Sequence, residues 1–93
     1  MSDSHKHTLG SAITLTKGVA YTTPSDGYFR IRFNAYAVGS TERAEGMINS
    51  DDRTMMAITG NTAYSNASLF VRKGTIIKYG GTDKAIGEFE PLV

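Results

Sequence analysis

The run from Tyr21 to Val38, YTTPSDGYFRIRFNAYAV, constrains this chain more than any other segment. A turn cluster, Pro24-Ser25-Asp26-Gly27, leads into strict alternation. Phe29, Ile31, Phe33, Ala35 and Ala37 point to one side, and Tyr28, Arg30, Arg32, Asn34 and Tyr36 to the other. Successive side chains of an extended backbone face opposite ways. A period of two over this length therefore predicts a strand with one face in a core and the other on a polar or contacting surface.

The rest of the chain repeats the pattern in shorter units. Residues 12–16, 19–23, 42–49, 54–59, 64–73, 75–79 and 85–93 read as β-rich. Between them, Lys17-Gly18, Gly39-Ser40-Thr41, Asn49-Ser50-Asp51-Asp52, Gly60-Asn61-Thr62, Lys73-Gly74 and Gly80-Gly81-Thr82-Asp83 carry turn chemistry. About eight short strands joined by glycine-rich turns predict an all-β fold, a compact antiparallel β-sandwich of jelly-roll type. Residues 1–9 are polar and aperiodic and read as a flexible N-terminal arm, leaving 10–93 as a single sandwich domain.

Size sets the next constraint. A chain of 93 residues holds one core and buries only about 60–65% of the surface its unfolded form exposes. Small domains offset that shortfall with disulfides, metals or oligomerisation. Cysteine is absent, which removes the disulfide and the structural zinc routes together. Oligomerisation remains as the expected support. The net charge is +1 with both signs dispersed, so no basic face predicts nucleic-acid binding. The longest apolar run falls far short of the roughly 20 residues that span a bilayer. The polar N-terminus has no apolar signal core, and synthesis in the cytoplasm without export is expected.

Candidate chemistry is sparse. His5 and His7 face one side of an extended chain and would meet one metal if three copies converged, but a solvated tail is the preferred reading. Glu42, Glu45, Asp51 and Asp52 lack the alternate-oxygen spacing of a calcium loop. Glu88 and Glu90 share a face and read as outward solubility residues rather than a catalytic carboxylate pair. Asn66-Ala67-Ser68 fits a glycosylation acceptor only on a eukaryotic secretory route, and Gly80-Gly81 is not a phosphate loop. Nucleophilic catalysis needs a base in reach, and the histidines lie in the arm. The expectation is therefore a protein that is not an enzyme and uses no cofactor. Tyr28, Tyr36 and Phe70, with Arg30 and Arg32, lie opposite the core residues of their strands. Aromatics so placed predict a covered face, because tyrosine joins an apolar ring to a hydroxyl and is favoured at interfaces.

Several motifs together resemble the small β domains of tailed-phage virion proteins. They are Tyr21-Thr22-Thr23-Pro24-Ser25-Asp26-Gly27-Tyr28, Val71-Arg72-Lys73-Gly74-Thr75, Tyr79-Gly80-Gly81 and Phe89-Glu90-Pro91-Leu92. Such domains are similar to the complement-C1q and tumour-necrosis-factor jelly rolls and serve as fibre heads, receptor-binding tips, baseplate parts and capsid decorations. The resemblance implies a homotrimer with one sheet of each subunit about the threefold axis. It implies an accessory virion protein, a capsid decoration or short head fibre, since only about ten residues precede the first strand. In that reading Tyr28, Arg30, Arg32, Tyr36 and Phe70 form the subunit interface, and residues 2–8 dock to other virion proteins such as the major capsid protein. A second reading is a host-receptor or glycan-binding tip with Tyr64, Arg43 and Arg53 as contacts. A third is a monomeric carbohydrate-binding module, which the absence of tryptophan disfavours.

Overall fold

In the computed structural model, which describes residues 10–34, 41–48, 53–60 and 65–93, eight strands follow one another with no helix among the described residues. They are β1 (Ile13–Thr14), β2 (Tyr21–Thr22), β3 (Gly27–Phe33), β4 (Glu42–Ile48), β5 (Arg53–Gly60), β6 (Asn66–Val71), β7 (Ile76–Gly81) and β8 (Ala85–Pro91). The pairing is nested: β4 with β5, β3 with β6, β2 with β7 and β1 with β8, every pair antiparallel. The chain is thus one long hairpin, and the additional pairs β3–β8 and β4–β7 roll it into two sheets. Their orders, β1-β8-β3-β6 and β2-β7-β4-β5, are those of a jelly roll.

Alternation decides which side chains meet between the sheets. Phe29, Ile31 and Phe33 of β3, Phe89 of β8, Ala44 of β4 and Ile77 and Tyr79 of β7 are buried there. Leu15 and Val71 join them from the ends. Fully burying a phenylalanine contributes on the order of 2–3 kcal/mol, so Phe29, Phe33 and Phe89, each almost inaccessible, anchor the sandwich. The Tyr21 ring adds a tilted contact to Phe89 with centroids 6.0 Å apart. Two of the predicted turns have the backbone that their glycines permit. Gly18 and Gly74 sit at φ 76 and φ 86, each closed by an i to i+3 bond, Val19 N–H to the Thr16 carbonyl and Thr75 N–H to the Arg72 carbonyl.

Local departures from the expectation have physical causes. Of the strand expected over 28–38, the β3–β8 ladder runs to Phe33 and Asn34 extends its register by donating its N–H to the Lys84 carbonyl at 2.7 Å, while 35–38 lie outside the described residues. Gly80-Gly81 is not a turn. Strand β7 continues through Gly81, where a Cβ would collide with the Arg43 carbonyl, and the reversal falls at residues 82–84. A bulge at Met55 shifts the β4–β5 register between Gly46 and Met47. The N-terminal arm, 1–9, lies outside the described residues.

Candidate association face

The β1-β8-β3-β6 sheet turns Tyr28, Arg30 and Arg32 of β3 outward, flanked by Asn66, Ser68 and Phe70 of β6 and by Ile86, Glu88 and Glu90 of β8. Register places Tyr28 between Phe70 and Glu90, Arg30 between Ser68 and Glu88, and Arg32 between Asn66 and Ile86. The four charges pair on the diagonal. Arg32 donates Nε to Glu88 Oε1 at 2.9 Å and a second guanidinium N–H to Oε2 at 3.3 Å, while Arg30 donates to Glu90. The hydrogen bond from Arg32 holds the Glu88 carboxyl below its ordinary range against the opposing effect of burial, and the charges of Arg32 and Arg30 add to the lowering.

These pairs are lopsided in exposure. The side chains of Arg30 and Arg32 are 34% and 39% accessible, those of Glu90 and Glu88 only 19% and 13%. Partly exposed pairs contribute little to stability, about 0.2–1 kcal/mol each, but they fix the direction of long side chains. The guanidinium edges are thereby held outward beside Asn66 and Ser68, around a shallow depression of ≈ 460 Å³. Next to it the rings of Tyr28 and Phe70 meet edge-to-face at 5.7 Å and 71°. Both remain open to solvent, at 37% and 45%. An aromatic pair and two oriented arginines on one sheet face are the residue types that dominate protein contacts.

Three of the four motif segments, all but Tyr79-Gly80-Gly81, converge at one end of the sandwich, and their role there is structural. Thr23, 2% exposed, donates its hydroxyl to the Arg72 carbonyl at 2.8 Å and accepts from Thr75 N–H at 3.0 Å. Its backbone exchanges bonds with Thr75 and Gly74. Asp26 accepts the Lys73 N–H on its carboxylate at 2.8 Å and the Leu92 N–H on its carbonyl at 2.9 Å. At Gly27 a side chain would strike the Glu90 carbonyl and the Phe89 ring. Three turn motifs distant in sequence are thus parts of one hydrogen-bonded knot.

The remaining candidates are not gathered into a site. Arg43 lies on the outer face of β4 and Arg53 opens β5. Arg53 pairs with Ile48, five residues along β4 from Arg43, a separation of about 17 Å at the rise of an antiparallel strand. Glu42 accepts the Thr82 hydroxyl at 2.6 Å. Among the described residues no group of three or more His, Asp or Glu could hold a metal. His5, His7, Tyr36, Asp51, Asp52 and Tyr64 fall outside the described residues. No family model, no curated protein and no solved structure matches this chain.

Sequence reasoning placed Tyr28, Arg30, Arg32 and Phe70 on one face but treated Glu88 and Glu90 as independent solubility residues. Their partnership depends on the β3–β8 register, which no local pattern encodes.

Proposed function

We propose that this protein is an accessory structural component of a phage virion that works by association, not by chemistry. Copies pack about a threefold axis through the outer face of the β1-β8-β3-β6 sheet. The observation that carries the reading is the exposed Tyr28–Phe70 pair beside two arginines already oriented by their carboxylates. Desolvating that face buries aromatic surface without leaving an unpaired charge, since each arginine keeps its glutamate. The virion setting rests on the motif resemblance, and the need for association on the small single core. Rigid multiple copies then bind a particle with avidity that one copy lacks.

Tyr28→Lys tests the face. The new ammonium sits opposite Glu90 in the register, which keeps the fold supplied with a counter-charge while placing a charge in the contact. The variant is expected to retain its circular dichroism spectrum and to fall to single chains in light scattering. An unchanged assembly mass would rule out this face.

A further inference from the structure

The two ion pairs of the β3 face differ in how their halves respond to acid. An arginine stays charged at any ordinary pH, whereas a carboxylate loses its charge in the acid range. Within each pair the glutamate side chain is the more covered member and the arginine the more exposed. A neighbouring copy closing on this face therefore meets guanidinium groups whose charge is balanced from within the sheet.

The groups that balance them are few. Glu88 lies opposite Arg30 on β3, accepts from Arg32 on the diagonal, and faces Thr14 of β1 on its other side. Glu90 lies opposite Tyr28 and accepts from Arg30. Strand β6 sets Asn66, Ser68 and Phe70 beside β3 and brings no charge. Asp26 and Arg72 flank the β3–β6 ladder beyond Gly27 and Val71, and Lys84 precedes β8 at the opposite end. Among the described residues, Glu88 and Glu90 are the carboxylates in register with the two arginines.

A charge removed from water together with its partner is tolerated, but the same charge left alone is strongly disfavoured. Within one chain these pairs are partly exposed and contribute little to the fold. Loss of the carboxylate charge thus falls on the contact between copies and spares the sandwich. We propose that the two pairs form an acid-released latch on assembly: protonation of Glu88 and Glu90 strands Arg30 and Arg32 in the contact and separates the copies while each chain stays folded. The latch rests on the association reading given above.

The direction follows from linkage. The hydrogen bond from Arg32 holds the Glu88 carboxyl below its ordinary value of 4.5, and closing the contact acts the same way, because protonation would leave Arg32 alone. The pair's contribution to assembly is full above that ordinary value and is lost as pH falls through the lower one.

Light scattering and circular dichroism from pH 7 down to about pH 3 test the latch. The expected result is a threefold loss of mass below about pH 4.5 with the strand spectrum retained, reversed on return to neutrality. A three-chain mass held to the acid end would overturn it. Glu88→Gln/Glu90→Gln removes both carboxylate charges at pH 7 and decides the case even if acid also unfolds the chain. This double variant is expected to scatter as single chains, and a three-chain mass would overturn the latch. Glu42→Gln/Glu45→Gln removes the same charge from β4, in the other sheet, and is expected to keep the parent mass. Its dissociation would trace the effect to total charge and overturn the latch equally. Failure of the association reading itself appears separately, as single-chain mass for the unmodified protein at pH 7.

Discussion

Replacing Thr23 by valine isolates the knot that joins the turn motifs. Valine keeps the shape of the buried side chain and removes only its hydroxyl, which donates to the Arg72 carbonyl at 2.8 Å and accepts from Thr75 N–H at 3.0 Å. A neutral hydrogen bond contributes a net of about 1 kcal/mol, and a buried group left without a partner costs about 1–3 kcal/mol. Here the abandoned groups keep other partners. Thr75 N–H still reaches the Arg72 carbonyl at 3.1 Å, and that carbonyl still accepts the Thr75 hydroxyl at 2.6 Å. The loss therefore sits at the low end of that range, about 2 kcal/mol for both bonds. For a domain of this size 1 kcal/mol moves Tm by about 4–8 °C, so Thr23→Val is expected to melt roughly 8–16 °C below the parent. Thr23→Ser keeps the hydroxyl and loses one buried methyl, for about 1 kcal/mol, and should fall between the two. The assay is thermal melting by circular dichroism at one fixed protein concentration, because the proposed association would make Tm concentration-dependent. A Tm for Thr23→Val within about 3 °C of the parent, or below-parent melting greater for serine than for valine, would refute the assignment of the motif to a hydrogen-bonded knot.

Other perturbations follow from the same geometry. Glu88 titrates below its ordinary value of 4.5 in the folded chain because Arg32 bonds its charged form. Its contribution is full above that value and is lost as pH falls through the lower folded value, so Glu88→Gln should flatten the stability profile below about pH 4.5 and leave its shape near neutrality unchanged. Denaturant melts from pH 3 to 7 would read this, and identical acid profiles for parent and variant would contradict the pairing. Gly81→Ala forces a side chain onto a residue at φ 140 and against the Arg43 carbonyl. The expected loss is on the order of 3 kcal/mol or more, read as a fall in denaturation midpoint.

The sequence carried the sandwich further than the site. Alternation from Phe29 to Phe33 and positive-φ glycines at 18 and 74 are local signals, and each has its counterpart in the structure. One boundary differed for a non-local reason: Gly81 stays in β7 because it pairs with Ala44 of β4. The candidate association face was half legible. Alternation shows which residues of β3 and β6 point outward, but Arg30 and Arg32 meet Glu90 and Glu88 only once β3 is laid beside β8 in register. Thr23 was equally hidden, since a threonine in a turn motif gives no sign that its hydroxyl will close a bond to a residue 49 positions away.

Self-association about a threefold axis is the claim on which the functional account stands. Light scattering across a dilution series of the unmodified protein measures it without a label or a ligand. The account predicts a mass three times the 10.0 kDa chain, held over the dilution range. A mass of one chain throughout would contradict it.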